Sequence, residues 1–340
     1  MGSMMLSAVL AAAQEPQLTN GIGKLLLALH ESMGVSFGVT VIVFTVLLRV
    51  ILSPLDIWQR IAMRKQTMKM QALRPKLEKL QRQYANRPDI LRQKQYELQR
   101  GSGMNMLASC LPMIITLVVF WVVFAGFRSL IAYQNEMIIY QLDHIYAQNY
   151  PLVQAGQMTM DELNNLLAQS YNPDSFLWIK NVHMSDIGTN VIPSIQNFLS
   201  TGVGGLGADL PDGLSASYET LVGPAMQLYN KQSFWDAGRW NGYFVLPVLA
   251  IGTSILSTLL TQKLQPQPVA ADPTQEKTQK MTMKMMTFLM PVMLGVFAIM
   301  YSAAFAIYYV VGNVLMTIMS LTFTLITRHL DKKNAAQAQI

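Results

Sequence analysis

The chain has 340 residues and a formal charge of +6, with 51% apolar and only 13% charged side chains. That charged share is roughly half the usual one for soluble chains. No Lys, Arg, Asp or Glu interrupts residues 101–127, 240–262 or 285–327, and a bilayer crossing needs about 20 apolar residues. An ordinary soluble enzyme and a disordered chain are both excluded, and an all-α polytopic membrane protein is expected.

Residues 1–34 read as an N-terminal segment. Met4–Ala13 is apolar but short, with no Lys or Arg before it, so it makes a poor signal peptide. Leu18–Met33 reads as an interfacial helix, with Leu25, Leu26, Leu27 and Leu29 crowded on one side; an ordinary lead-in to the first span is the alternative. The first span is 35–55, interrupted by Arg49. Residues 56–103 carry 12 Lys and Arg against 4 acids. Met70, Leu73, Leu77, Leu80 and Tyr84 follow a helical period there, and Asn86-Arg87-Pro88-Asp89 supplies a turn, so this loop reads as a basic helical hairpin. Its cations, among them Lys65, Lys69, Arg74, Lys76, Lys79, Arg82 and Arg87, suit anionic lipid head groups or ribosomal RNA; a solvated coiled-coil arm with no partner is the alternative.

The second span is 104–127. The segment 128–239 is too long to be plain loop. Ile131–Ala147 and Asp161–Ser170 look helical, Thr159 and Glu162 have capping-box spacing, and Gly202–Gly213 reads as a glycine-rich linker. The third span is 240–262 and a loop covers 263–284. The 43 uncharged residues that follow are about twice what one crossing needs. They are expected to turn near Tyr301-Ser302-Ala303 and form a fourth span, 285–303, and a fifth, 304–327, before a tail at 328–340. The 56–103, 263–284 and 328–340 segments hold 19 of the 25 Lys and Arg, whereas 128–239 holds 4 against 10 acids. Basic loops stay inside, which predicts a cell-membrane protein with its N-terminus outside and its C-terminus cytoplasmic.

Arg49 is the sharpest chemical signal. A charge within a span is costly and marks function by default. None of the other predicted spans contains Asp or Glu, so either Arg49 snorkels to the surface or it faces a water-filled cavity. Thr45 and Ser53, four residues on either side, share its helix face. Gly202–Gly207 fits a glycine-rich nucleotide pattern, but no strand precedes it. The single cysteine, Cys110, and four scattered histidines leave no metal or hydrolase motif, and no cofactor is implied. Methionines gather at Met281, Met283, Met285, Met286, Met290 and Met293, a composition that fits adaptable binding surfaces and ordinary packing alike.

Six segments, in order, resemble the YidC membrane protein insertases and their mitochondrial and chloroplast relatives. They are Leu47–Leu55 around Arg49, Met70–Arg100, Ser109-Cys110-Leu111-Pro112-Met113, Phe176-Leu177-Trp178-Ile179 with Asp186 following, Tyr243–Pro247, and Lys280–Met290 with Tyr308–Asn313. With no large domain ahead of residue 35, the chain resembles the shorter, five-span type typical of Gram-positive bacteria. The resemblance implies five transmembrane helices with a hydrophilic groove in the bundle, lined by Arg49, Thr45, Ser53, Thr116 and Asn313. It implies an insertase and folding chaperone that uses no ATP, is not an enzyme, and releases its client sideways into lipid past the third and fifth spans. The implied partners are nascent membrane proteins, the lipid bilayer, the ribosome at the hairpin and the secretory translocon; no DNA is implied. The chain departs from the family where Thr116 replaces Gln, Val118 replaces Pro, Tyr301-Ser302-Ala303-Ala304 replaces Phe-Pro-Ala-Gly and Gly312 replaces Ser. It also carries roughly 50 extra residues, about Ile187–Asn241, to which the sequence assigns no role. A solute transporter or channel subunit is the first alternative, although it predicts paired intramembrane charges or inverted repeats. A scaffold that holds membrane proteins without inserting them is the second.

Overall fold

The computed structural model describes residues 13–101, 106–200, 207–233, 235–264 and 301–337, with scattered positions between 281 and 300. Outside them fall Met4–Leu10, most of the glycine-rich Gly202–Gly207 stretch, Met283, Met286 and Met290 of the methionine group, and most of the 263–284 loop. Among the described residues the elements are helical. They are α1 (Gly21–Met33), α2 (Phe37–Gln83), α3 (Pro88–Gly101), α4 (Met106–Gln154), α5 (Met160–Ser170), α6 (Ile195–Leu199), α7 (Tyr218–Tyr229), α8 (Val245–Leu264) and α9 (Ala303–Gln337).

Four helices hold a stretch long and apolar enough to cross a membrane, within Phe37–Gln83, Leu117–Gln154, Val245–Lys263 and Ala303–Asp331. Positions 286, 287, 290, 294, 298 and 299 of the expected fourth span lie outside the described residues, and its other positions up to Met300 are helical. Tyr301 and Ser302 interrupt the helix where a turn was expected. Ser302 Oγ accepts the Phe305 amide at 3.3 Å and so caps α9.

Three helices outrun the spans expected for them. The first span and the first arm of the hairpin form one helix of 47 residues, with Pro54 and Pro75 inside it. Proline removes the hydrogen bond to the carbonyl four residues back, and for Pro54 that carbonyl belongs to Val50. Ser53 Oγ donates to the Val50 carbonyl at 2.8 Å, so the break that Pro54 threatens is repaired locally. The second span continues unbroken through Arg128 to Gln154, joining the helix expected at 131–147, and α9 continues past Arg328 to Gln337.

The chain divides into two compact units. The first comprises Met1–Phe44, Trp121–Leu249 and Gly295–Tyr309. Here α1 starts at Asn20, whose Oδ1 accepts the amides of Ile22 and Gly23. It crosses α4 where two glycines meet: a Cβ on Gly126 would lie 2.4 Å from Ile22 Cγ2, and one on Gly23 would lie 3.3 Å from the Gly126 carbonyl. Leu26 is buried and Leu25 is 56% exposed. An aromatic cluster packs Phe44, Phe124, Phe127, Tyr301, Phe305 and Tyr308 edge-on or tilted at 4.4–6.2 Å between centroids.

Residues 187–241 form part of a second core in this unit. Ile139 and Leu142 of α4, Leu163 and Leu167 of α5, Phe198 of α6, and Leu221 and Val222 of α7 are all buried together. Polar side chains fix the connections. The expected capping box is present at Thr159 and Glu162. Asp143 Oδ1 accepts the Ser215 amide at 2.9 Å, its hydroxyl at 2.7 Å and the Ala216 amide at 3.2 Å. Asn230 pairs with both backbone groups of Ile192. His183 Nε2 lies 3.0 Å from Asp174 Oδ2; burial raises the Asp174 carboxyl, but the His183 hydrogen bond and charge outweigh it and hold Asp174 below its ordinary value. Replacing the fully buried Leu167 with Ala is expected to destabilise this core by about 2–5 kcal/mol. Hydrogen exchange will show the loss as faster exchange in α5 and α7, with α3 unchanged.

The second unit comprises Thr45–Phe120, Ala250–Leu294 and Val310–Ile340. Its hairpin turns at residues 84–87, and α3 starts at Pro88. Leu73 and Leu77 are buried, with Leu98 packed against them. Lys65, Lys69, Arg74, Lys76, Lys79, Arg82 and Arg87 are all exposed. Arg74 pairs with Glu78 at 2.9 Å one turn along, and the other six form no ion pair among the described residues.

Candidate functional site

The candidate site lies within the second unit, on helix faces that combine a cation with hydroxyl and amide groups. On α2, Thr45, Arg49, Ser53, Asp56 and Arg60 recur at spacings of three and four, which stack them along one side. Thr45 is fully buried. Arg49 Nε is buried and has no hydrogen-bond partner among the described residues, and the same holds for Asp56 Oδ2. A buried N–H of a charged group without a partner is expensive, so this position retains an unmet demand for an acceptor or for water.

Gly312 on α9 faces that guanidinium. A Cβ built there would lie 3.0 Å from Arg49 Nη2, so the glycine leaves the space that the head group fills. One residue on, Asn313 Nδ2 donates to Thr253 Oγ1 of α8 at 3.4 Å. Arg60 Nη1 donates to Ser320 Oγ of α9 at 2.8 Å, and Thr261 Oγ1 of α8 lies 3.4 Å from the same oxygen. Ser320 is buried. Arg64 is ion-paired with Asp331 near the end of α9. Polar groups thus link α2, α8 and α9 at successive levels.

The family described as 60Kd inner membrane protein matches residues 28–332, most of the chain. The chain belongs to this family, the YidC family. Several curated YidC family proteins carry the name "Membrane protein insertase YidC". The one from Caldanaerobacter subterraneus is 32% identical over 130 residues, 38% of this chain and 60% of that protein. The one from Fusobacterium nucleatum is 36% identical over 94 residues, 28% of this chain and 44% of that protein. The one from Leptospira interrogans serovar Lai is 29% identical over 124 residues, 36% of this chain and 19% of that protein. The chain therefore spans less than two thirds of the length of these YidC relatives. Family membership and the four apolar helices make it a multi-pass membrane protein.

Of the residues expected at the site of this YidC family member, Arg49 adjoins Gly312, the neighbour of Asn313. Ser53 spends its hydroxyl proton on Val50. Thr116 lies on α4, and its side chain falls outside the described residues. Thr253, Thr261, Arg60 and Ser320 were not expected. Their signal was weak but present: Thr253 and Thr261 are eight apart and Asn313 and Ser320 are seven apart, which places each pair on one helix face.

Gly312 offers a direct check. Gly312→Ser adds only a small side chain whose hydroxyl can bond the guanidinium, so client insertion, the activity proposed below, should be retained. Gly312→Leu should displace the guanidinium and reproduce the defect of an Arg49 substitution. Insertion of a single-span client into vesicles, read by protease protection, measures both.

Proposed function

We propose that the chain is a membrane protein insertase and folding chaperone. A hydrated groove around Arg49, lined by Thr45, Ser53, Thr116 and Asn313, captures the polar flank of a nascent transmembrane segment. The segment then leaves sideways into lipid past the third and fifth spans. The observation that carries this reading is Arg49 itself: a cation in an apolar helix whose buried Nε has no partner among the described residues.

The energetics need no ATP. Twenty apolar residues gain about 0.3–0.6 kcal/mol each on entering the bilayer, whereas one acidic residue at its centre costs about 2.5–3.5 kcal/mol. The hydrophobic segment therefore supplies the driving force, and its polar flank sets the barrier. A fixed cation in a wet groove lowers that barrier by attracting the acidic flank. The membrane potential, positive outside, adds about 2.3 kcal/mol per negative charge per 100 mV. No bond is made or broken, so the activity is not enzymatic.

The topology that suits this reading places the N-terminus outside and the basic hairpin in the cytoplasm of a bacterial cell. Seven exposed hairpin cations support ribosome docking there, and the secretory translocon is a further partner. The test is photo-crosslinking from position 116 to nascent chains, with and without the ribosome attached. Crosslinks to the client's transmembrane segment in both settings are expected. Crosslinks confined to lipid or to this chain would sink the proposal.

A further inference from the structure

Trp235, at 86%, and Leu177, at 74%, are the two most exposed large apolar side chains among the described residues. Both belong to the first unit. Leu177 stands at the tip of a two-residue turn closed by paired amides: Phe176 donates to the Ile179 carbonyl and Ile179 to the Phe176 carbonyl, each at 2.9 Å. Its φ is 53°, a value that leucine rarely adopts. Strained backbone therefore presents an apolar side chain to its surroundings.

Both tips are tied to the start of a membrane-crossing helix. The Lys180 amide donates to the Asn241 carbonyl at 3.2 Å. Trp178 Nε1 donates to Asp186 Oδ1, which also accepts the Tyr243 amide at 2.8 Å. The loop that bears Trp235 is fastened in turn by the Lys180 ammonium, which bonds to the Gly238 carbonyl. Tyr243 and Phe244, just ahead of α8, are 47% and 44% exposed, and the Trp240 ring lies 6.4 Å from that of Tyr243. Amphipathic rings at the end of a span mark the interfacial level of a bilayer.

The charges gather at the same corner. The 128–239 segment holds 4 cations against 10 acids, and two of those cations, Lys180 and Arg239, sit on these two loops. Arg239 donates to the carbonyls of Gln227 and Asn230 at 3.2 Å and pairs with Asp236 at 3.5 Å. Each cation has more N–H groups than these bonds use. Burial holds the Lys180 ammonium below its usual range, with Asp236 raising it and Arg239 lowering it further; an anion between the two cations would relieve that repulsion.

We propose that this corner, formed by Leu177, Trp235, Lys180 and Arg239, seats in the bilayer surface and binds the phosphate groups of anionic phospholipid. Half of it, Trp235 and Arg239, belongs to residues 187–241. Those residues thereby gain a role distinct from client capture: they hold the second core against the membrane. The seat requires only that α8 crosses the bilayer.

The test uses the full chain in a Cys110→Ser background, with a nitroxide placed through Trp235→Cys, Leu177→Cys or, as a control, Leu152→Cys. Leu152 is 40% exposed near the far end of α4. In vesicles of phosphatidylglycerol, collision with a water-soluble nickel chelate should fall several-fold relative to oxygen at 177 and 235, with depths within about 5–10 Å of the head-group boundary, and should stay high at 152. In phosphatidylcholine vesicles, or with Lys180→Gln and Arg239→Gln together, that protection should shrink; Lys180→Arg with Arg239→Lys should keep it. Full nickel access at 177 and 235 would overturn the proposal. Equal protection in both lipids would overturn the charge recognition. Low access to oxygen and nickel alike would indicate a protein partner and overturn it as well.

Discussion

Replacing Arg49 with Ala is expected to slow insertion of a single-span client with an acidic outer tail by roughly 10–100-fold. The barrier sets the size of the effect: an acidic residue costs about 2.5–3.5 kcal/mol at the bilayer centre, and each 1.4 kcal/mol or so that Arg49 offsets is about tenfold in rate. Arg49→Glu should be worse than Ala, because it adds repulsion to the loss of attraction. Arg49→Lys should retain much of the activity, since a charge is needed more than a planar fork. A client with a neutral tail should lose far less. Protease protection of the translocated tail in vesicles measures all four cases, and normal insertion by both the Ala and the Glu variant would refute the capture role.

Asp186→Ala should produce the largest stability defect. Asp186 is fully buried. Its Oδ1 accepts Trp178 Nε1 at 3.1 Å and the Tyr243 amide at 2.8 Å, and its Oδ2 accepts the Leu246 amide at 2.6 Å. Its own carbonyl accepts the Phe244 amide at 3.1 Å, fixing a residue whose φ of 65° is unfavourable without glycine. Hydrogen bonds to a charged group contribute about 1.5–3 kcal/mol each, so removing the carboxylate and stranding three donors should cost roughly 3–5 kcal/mol. Asp186→Asn keeps one acceptor oxygen and should fall between. Thermal unfolding in detergent, paired with proteolysis of the 174–192 region, reads the effect; an unchanged Tm for the Ala variant would refute it.

Charge patterns and cap residues report different boundaries in this chain. Asp56, Arg128 and Arg328 end the uncharged stretches, yet α2, α4 and α9 run straight through them. A charge ends the apolar stretch because it resists hydrocarbon, but it does not end a helix; that takes a cap, a glycine or an unrepaired proline. Even Pro54 fails to end one, because Ser53 answers the carbonyl that it frees. The hairpin was legible because Leu73 and Leu77 repeat with the helix and bury their shared face.

Arg49 was legible because a lone charge in an apolar run has few explanations. Thr253, Thr261 and Ser320 were not, since single hydroxyls in apolar helices are ordinary. The core of the extra segment was hidden for another reason. Its fastening bonds join residues far apart in the chain, such as Asp143 to Ser215 and Asn230 to Ile192, and no local pattern encodes such pairs.

The residues from Val182 to Asp186 hold the beginnings of two helices at once. The Val182 and Met184 carbonyls accept the amides of Ala304 and Ala303 at 2.9 and 2.7 Å, while Asp186 holds Tyr243, Phe244 and Leu246. Helices α8 and α9 therefore start from one short strap. A change that reshapes the strap reaches both helix starts at once, so the two are expected to loosen together rather than one after the other.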